Sequence, residues 1–303
     1  MLNKIIVNML PYMPKKLIWV FSKRYIAGES IEDGLLASHL LNQQGIKVTI
    51  DLLGEFIQTL DEAKYNKEMY LEIIDRFTAE KIDGNFSLKP SMFGLLIDKD
   101  VCYQYIREIV SFAAQKNSFI RIDMEDSQCV DLEIALFKRL HSEFPKETGL
   151  VLQAYLRRTL DDIKNLLPLN SEDTPLNFRL CKGIYIEPEK IAFKNYDEVR
   201  DHYLEDLEFM FKNKIYAAIA THDAYLVEHA TKLIKKHQVP QSMYEFQMLY
   251  GVTPELRKSI LNSGHKMRVY VPFGKQWFNY SSRRLKENPK IAQHILKALI
   301  IRG

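Results

Sequence analysis

Cysteine, excess charge and long apolar runs are all scarce in this 303-residue chain. Cys102, Cys129 and Cys181 form no CxxC pair and have no histidine at ligand spacing, so the sequence favours neither a disulfide framework nor a metal site. A formal net charge of +3 is too small to indicate nucleic acid as a partner. No apolar run approaches the roughly 20 residues that span a bilayer, so no transmembrane helix is expected.

The first 25 residues alternate short apolar runs with lysine and arginine. Pro11 and Pro14 interrupt these runs and no small-residue cleavage site follows, so a signal peptide is not expected. Two interpretations stay open: a helical arm packed on the domain, or a basic amphipathic segment that touches a membrane surface. We therefore expect a cytoplasmic protein, to which the second interpretation adds peripheral contact with the inner face of the membrane.

From residue 27 onward, helical and strand-like patterns alternate. Helices are predicted at Ile31–Asn42, 61–82, 99–116, 131–144, 198–212, 224–236 and 254–262, with a shorter one near 160. Eight strand-like segments lie between or beside them, which predicts an α/β protein with a (β/α)8 barrel. We expect an N-terminal helical arm and leading helix over 1–44 and the barrel over 45–303. An open doubly wound sheet would alternate similarly, but no GxGxxG follows the first strand.

Polar residues follow nearly every predicted strand, and in a barrel the strand ends converge on one mouth. These residues are Asp51, Lys89, Asp123, Gln153, Arg179, Lys182, Thr221, His222, Glu245, Gln247 and Tyr270. Near the C-terminus, a strand at 267–271 leads through a turn marked by Pro272 and Gly274 into a helix from Gln276, which carries Arg283, Arg284 and Glu287. The excess of cations predicts an anionic ligand. The alternatives are a solvated basic helix face and a Lys89–Asp123 pair that merely closes the barrel.

The same strand ends, with the last helix, resemble those of flavin-dependent proline dehydrogenases. The matching segments are SLKP, RIDMEDS, LQAYLRR, RLCKGIY, ATHD, YEFQMLYGV, RVYVPFG and YSSRRLKEN, in order, from about Val48 to Asn288. The resemblance implies a barrel that binds FAD and oxidises L-proline to 1-pyrroline-5-carboxylate, the first step of proline catabolism. The length resembles the monofunctional bacterial enzymes. Three places depart from the family pattern: Ser281 and Ser282, where bulkier side chains are frequent, Asp223, where asparagine is frequent, and Ile184, where alanine is frequent. The serines and Asp223 are not expected to touch the ring chemistry.

The resemblance also implies roles for individual residues. Arg283, Arg284 and Lys89 would bind the proline carboxylate, Tyr270 would pack against the proline ring, and Leu249 would border the ring pocket. Asp123 would hold the cations, and Arg179 would lie near flavin N5 and stabilise the charge that grows there. The residues that would contact the cofactor are Met124, Gln153, Lys182, Gly183, Ile184, Thr221, His222 and Glu287. Gly183 also suits the close approach of a cofactor to the backbone.

The reaction implied by the resemblance passes a hydride from C5 of proline to N5 of FAD, with a membrane quinone or the electron-transport chain as the final acceptor. No residue of the motif stands out as the base that deprotonates the amine. Two other functions stay open. One is a Schiff-base lyase on the same barrel, with Lys89 as nucleophile and Asp123 as its acid/base partner. The other is a scaffold that binds anionic lipid without turnover.

Overall fold

A closed barrel of eight parallel strands forms the centre of the molecule, as predicted. The computed structural model describes Trp19 and residues 22–54, 56–278 and 280–281. Each strand pairs with the next along the chain, and β8 closes on β1, where Val48 lies beside Val269. The strands are β1 Lys47–Leu52, β2 Gly84–Leu88, β3 Ile120–Ile122, β4 Thr148–Gln153, β5 Asn177–Cys181, β6 Tyr216–Ala220, β7 Tyr244–Leu249 and β8 Met267–Phe273.

Eight α-helices are described outside the barrel: α1 Ile31–Asn42, α2 Leu60–Ala79, α3 Lys99–Gln115, α4 Val130–Glu143, α5 Thr159–Leu166, α6 Tyr196–Lys212, α7 Ala224–Lys236 and α8 Pro254–Asn262. Short 3-10 turns lie at Pro90–Phe93, Leu167–Leu169 and Gln241–Met243. Helical backbone resumes at Trp277, whose ring centroid is 4.7 Å from that of Trp19. None of the helices in the described ranges is long and apolar enough to cross a membrane.

Two predicted boundaries were wrong, a helix end by three residues and a strand end by two. The helix predicted to reach residue 82 ends at Ala79, because Lys81 adopts a positive φ of 56° that a helix does not allow. The predicted turn at Pro272 belongs to β8, which continues to Phe273. Proline fits near this strand end because its carbonyl still accepts a hydrogen bond, from the backbone N–H of Ala27 at 2.9 Å.

Short polar side chains cap the first turns of several helices. Ser30 and Asp33 form a reciprocal capping box at α1, and the side chains of Thr59, Asp98 and Asn195 accept hydrogen bonds from the first turns of α2, α3 and α6. Each cap satisfies backbone N–H groups that lack a partner inside the helix. At α2, α3 and α6, these local interactions therefore fix where the loop from the preceding strand ends.

The interior of the barrel is charged, whereas the outward strand faces are apolar and buried under the helices. The buried interior side chains include four cations, Lys89, Arg121, Arg179 and Arg268, and three carboxylates, Asp51, Asp123 and Glu245. Hydrogen bonds join strands that are not neighbours, such as Arg179 on β5 to Asp123 at the end of β3, so they cross the interior. At Gly149 a Cβ atom would collide with the Arg121 guanidinium, so glycine makes room for this cation. Burial and nearby Arg179 lower the Arg121 pKa to about 9.

A buried carboxylate on α6 predicts a pH-dependent loss of stability. Neither oxygen of Asp206 has a hydrogen-bond partner within the described part of the chain, and His202 Nδ1 lies 3.5 Å away. Burial raises the Asp206 pKa from 3.8 to about 8. Because the folded-state pKa is the higher one, the stabilisation is complete below the unfolded value and is lost as pH rises through the folded value. Between them, stability falls by up to about 1.4 kcal/mol per pH unit.

The test is Asp206→Asn, whose amide does not titrate. The free energy of unfolding of this variant relative to wild type is expected to rise steadily from pH 5 to pH 8, measured by urea denaturation. Asp201→Asn, an exposed position on the same helix, serves as the control and should parallel wild type. Parallel curves for Asp206→Asn and wild type would show that Asp206 does not carry this pH dependence.

Candidate active site

A cavity of about 270 Å³ opens at the carboxyl ends of the strands. The predicted site residues among the described ranges all line it: Lys89, Asp123, Met124, Gln153, Arg179, Lys182, Gly183, Ile184, Thr221, His222, Leu249 and Tyr270. Arg283, Arg284 and Glu287 lie outside the described residues. The cavity wall also includes residues to which no role was assigned from sequence, among them Cys181, Tyr185, Gln247 and Tyr280. The barrel therefore brings side chains from seven different strand ends to one place.

A larger groove, of about 640 Å³, lies at the amino ends of β5, β6 and β7. Its floor is apolar, and its charged side chains are paired: Lys214 with Glu172 at 2.7 Å, and His237 with Glu208 at 2.7 Å. None of the predicted site residues that the structure describes lines this groove. Size alone is therefore a poor guide here, and the smaller cavity at the strand carboxyl ends is the candidate active site.

Asp123 is the centre of the polar network on the cavity floor. Its Oδ1 accepts hydrogen bonds from Arg179 Nη1 at 2.9 Å and from the Ser87 hydroxyl, and its Oδ2 accepts one from the Tyr270 hydroxyl at 2.9 Å. The Lys89 ammonium lies 3.7 Å from Oδ2. One carboxylate thus contacts two of the three predicted cations of the described cavity and the ring that was predicted to pack against the substrate.

The nearer anion to Lys89 is Asp51 on β1, to which no site role was assigned. Lys89 Nζ donates a hydrogen bond to Asp51 Oδ1 at 2.6 Å and another to the Tyr270 hydroxyl at 3.2 Å. The Asp51 side chain is 0% exposed, and burial raises the pKa of this carboxyl more than Lys89 lowers it. The predicted Lys89–Asp123 pair therefore exists, but as the longer of two contacts. The available signal was the position of Asp51 at the end of β1.

Two of the three guanidinium nitrogens of Arg179 donate hydrogen bonds within the described part of the chain. Its Nε donates to Gln247 Oε1 at 2.7 Å, and its Nη1 donates to Asp123 and to Ser87 Oγ at 3.1 Å. Its Nη2 is buried without a hydrogen-bond partner among the side chains and backbone that the structure describes. A buried donor of this kind costs stability unless an acceptor is supplied. The nitrogen and oxygen acceptors along a flavin ring edge fit this requirement.

Two predicted cofactor contacts are fixed by the backbone. His222 Nε2 accepts a hydrogen bond from the Leu249 amide at 2.8 Å, so the ring is neutral and carries its proton on Nδ1. Gln153 Nε2 donates to the Glu125 carbonyl at 2.8 Å. Both side chains are thus held in one orientation against the cavity before any ligand binds.

Gly183 has a physical reason within the fold besides the one expected from the sequence. Its φ of 103° lies in the region that favours glycine, and a Cβ atom would collide with the Tyr155 ring. The expected reason was close approach of a cofactor. The packing of Tyr155 already excludes a side chain, so the contact of Gly183 with a cofactor stays a prediction.

At the rim of the cavity, Asp223 joins two cations. Arg200 donates to both of its carboxylate oxygens at 2.9 Å, Lys182 Nζ lies 3.2 Å away, and the Tyr196 hydroxyl donates at 2.6 Å. Burial opposes ionisation of Asp223, but the hydrogen bonds from Arg200 and Tyr196 and the charge of Lys182 hold its pKa well below the usual value. The Tyr196 and Tyr225 rings lie 4.3 and 4.5 Å from the Arg200 guanidinium. The cluster therefore carries net positive charge.

One buried cluster within the described ranges has the composition of a metal site. Ligand atoms of Glu125, Cys129 and Glu133 lie within 4.8 Å of one another. Ser91 donates to both oxygens of Glu125, and the Glu125 amide donates to Glu133. Burial and the neighbouring carboxylate raise the pKa values of Glu133 and Cys129, which opposes the deprotonated forms that bind metals. The expectation of no metal stays a prediction.

Comparison with known proteins gives a consistent result. The family model described as proline dehydrogenase matches residues 36–296. Proline dehydrogenase 1 of Bacillus subtilis (strain 168) is 34% identical over 279 residues, which cover 92% of this chain and 90% of that protein. Proline dehydrogenase of Deinococcus radiodurans is 32% identical over 292 residues, covering 95% and 93%.

Among solved structures, proline utilization A (PutA) from Bdellovibrio bacteriovorus, inactivated by N-propargylglycine, superposes with a TM-score of 0.86 at 24% identity. The superposition covers 94% of this chain and 36% of that longer one. At this identity the likeness supports the fold. The family match includes every strand of the barrel and every described residue of the cavity.

Proposed function

This chain belongs to the proline dehydrogenase family of enzymes, and we propose that it binds FAD in the cavity at the strand carboxyl ends and uses it to oxidise L-proline to 1-pyrroline-5-carboxylate. The observation that carries the proposal is the convergence, in one cavity, of Lys89, Asp123, Arg179 and Tyr270 with the residues expected to contact the cofactor. The spare Nη2 of Arg179 supports a ligand with acceptor atoms on that wall.

The chain supplies a binding surface and fixed charges for the cofactor. FAD, when bound, supplies the hydride acceptor at its N5 atom. Met124, Ile184 and Thr221 would contact it, together with the Gln153 and His222 side chains whose orientations are fixed. Lys182, which pairs with Asp223 at the cavity rim, would attract its phosphates. Arg179 would stabilise the negative charge of the reduced form through its spare nitrogen. The excess of basic over acidic side chains in the barrel interior would also stabilise this negative charge.

The substrate side of the cavity is built around Lys89 and Tyr270. The Lys89 ammonium lies at the cavity surface and would attract the carboxylate of proline, together with Arg283 and Arg284 beyond the described residues. Tyr270 lines the cavity, and hydrogen bonds with Lys89 and Asp123 hold its hydroxyl in place. Leu249 and Tyr270 would then limit the size of the ring that fits.

The final electron acceptor that we propose is a membrane quinone or another component of the electron-transport chain. Peripheral contact with the membrane through the basic N-terminal segment, most of which precedes the described residues, belongs to the same proposal. Reduction of a purified quinone analogue by the proline-reduced enzyme tests the first part. Flotation with anionic vesicles, compared between the full chain and one lacking residues 1–18, tests the second.

The Schiff-base alternative is disfavoured by the contacts of Lys89. A nucleophilic lysine must present a neutral amine to a carbonyl. Lys89 instead donates hydrogen bonds to the buried Asp51 and to Tyr270, which suits a charged ammonium.

The decisive experiment is an absorption spectrum of the purified protein, recorded before and after anaerobic addition of L-proline. Flavin bands that bleach on addition of proline are the expected result. A colourless protein that does not take up added FAD would refute the proposal. Borohydride trapping of a carbonyl substrate on Lys89 would then become the measurement to make.

Asp223 predicts an unusual effect on cofactor affinity. Asp223→Asn removes one negative charge from beside Lys182 and Arg200 but keeps a residue able to cap α7. We expect FAD to bind about fivefold more tightly, as an improvement of about 1 kcal/mol implies. Quenching of flavin fluorescence measures the dissociation constant. Asp197→Asn, an exposed acid that contacts only Arg200 of the cluster, is the control; weaker FAD binding in Asp223→Asn would contradict the prediction.

A further inference from the structure

A continuous line of hydrogen bonds runs down the barrel interior from Arg179. Gln247 Oε1 accepts from Arg179 Nε, and Gln247 Nε2 donates to Glu245 Oε1, each at 2.7 Å. Arg268 Nε donates to the same Glu245 oxygen at 2.6 Å. All four side chains are buried, and Glu245 is only 2% exposed. Glu245 does not line the cavity, so it reaches the active site only through its neighbours.

Glu245 decides which way the Gln247 amide faces. An amide has a donor end and an acceptor end, whereas an ionised carboxylate only accepts. Burial opposes ionisation of Glu245, but the charge and hydrogen bond of Arg268 lower its pKa, so the carboxylate is ionised. It therefore attracts the NH2 end of Gln247 and leaves the oxygen for Arg179. With the amide reversed, two donors would face each other at Arg179 Nε.

The orientation of Gln247 in turn decides where Arg179 points. A guanidinium is planar, so fixing two of its nitrogens fixes the third. Gln247 holds Nε and Asp123 holds Nη1, which directs the unpartnered Nη2. Without Gln247 as acceptor, Arg179 would pivot about its contact with Asp123.

We propose that Glu245 is a positioning residue that, through Gln247, aims Arg179 at the bound flavin and so raises the reduction potential of the cofactor. The inference rests on the proposed function, because it requires FAD in the cavity. A guanidinium held beside the flavin stabilises the negative charge of the reduced form more than it stabilises the neutral oxidised form. If Arg179 loses this orientation, the protein therefore binds the reduced cofactor more weakly, while its affinity for the oxidised cofactor changes little.

Two variants test the inference. Glu245→Gln removes the charge that orients Gln247, although it leaves Arg268 without its carboxylate and could fail to fold. The double variant Glu245→Met with Arg268→Met removes both charges and fills the space, a replacement that is often neutral for stability. Thr49→Val is the control, because it removes a different hydrogen bond inside the barrel, from Thr49 to Asn85.

The main measurement is the midpoint potential of the bound flavin, by equilibration with a reference dye. We expect both Glu245 variants to lie about 30 mV below wild type, which equals a tenfold loss in relative affinity for the reduced form. The dissociation constant of oxidised FAD and the KM for proline should stay within about twofold of wild type, since Lys89 and Tyr270 make no contact with Glu245 among the hydrogen bonds of the described cavity. Thr49→Val should keep the wild-type potential.

A double variant that folds, binds FAD and keeps the wild-type potential would overturn the inference while leaving the proposed function intact. An equal fall in Thr49→Val would also overturn it, because any disturbance of the interior would then suffice. A wild-type protein that does not bind FAD would refute the proposed function and the inference together.

Discussion

Replacement of Asp123 by alanine is expected to lower the turnover of L-proline by about a thousandfold, equivalent to about 4 kcal/mol of transition-state stabilisation. Asp123 is the common partner of Arg179, Tyr270 and, at longer range, Lys89. Without it, two buried cations lose an anion and the Tyr270 hydroxyl loses its acceptor. Arg179 and the Tyr270 ring then lose their positions at the same time.

The same substitution should destabilise the folded protein by about 3–5 kcal/mol, the usual cost of removing one partner from a buried ion pair. Steady-state turnover with an artificial electron acceptor and thermal unfolding measure the two effects.

Asp123→Asn separates the effect of charge from the effect of shape, since its side chain still accepts hydrogen bonds but no longer neutralises Arg179. We expect about a hundredfold loss of turnover, equivalent to about 2.7 kcal/mol.

Asp126→Ala is the matched control for Asp123. It lies three residues along the same loop, is only partly buried, and its side chain accepts a hydrogen bond from the Gln128 amide. Its turnover should match wild type within about twofold. Near-normal turnover in Asp123→Ala would show that the network on the cavity floor is structural and that catalysis depends on other groups.

Replacement of Lys89 by methionine is expected to lower kcat/KM for proline by about a hundredfold, equivalent to about 2.7 kcal/mol, chiefly through a higher KM. Methionine keeps most of the side-chain volume but cannot attract a carboxylate. Asp51 would then be left without a cation in a site where burial already raises its pKa, so it would take up a proton. Uptake of that proton limits the damage to the fold.

Anaerobic titration of the flavin bands with proline measures this effect, and flavin fluorescence shows whether FAD binding is retained. Asp51→Asn is the informative companion, because it removes the anion that holds Lys89 in place and keeps the lysine. If Asp51 acts through Lys89, the double variant should be no worse than Lys89→Met alone. A full additive loss in the double variant would assign Asp51 a separate role.

Local sequence signals were enough for much of the architecture. The bounds of α1, α7 and α8 coincide with the predicted ones, because amphipathic periodicity and residues such as Ser30 and Pro254 are properties of a few neighbouring residues. The alternation of strands and helices predicted the barrel for the same reason. The helix boundary was wrong because Lys81 adopts a positive φ that its residue type seldom takes. The strand boundary was wrong because Pro272 was taken as a turn residue, although proline is allowed near a strand end.

Local sequence signals could not predict which side chains contact each other inside the cavity. The sequence indicated that Lys89 and Asp123 share the mouth, but not that the shorter contact of Lys89 is with Asp51. It identified Gly183 but not Tyr155, the ring that excludes a side chain there. It noted Glu245 and Gln247 as polar residues without assigning them to Arg179, from which Gln247 is separated by 68 positions.

The amino-acid sequence was therefore sufficient to predict the barrel, the end of the barrel where the cavity opens, and the charged residues that line it. Strand and helix periods are visible over a few neighbouring residues, which is why these features could be predicted. Only the tertiary structure decided which polar side chains pair in the cavity. Closure of β8 on β1, for example, brings Tyr270 to Lys89, 181 positions away in the sequence. Distances between side chains on strands that are not neighbours depend on barrel stagger and tilt, which no local pattern encodes. The aim of Arg179 belongs to this second kind of information.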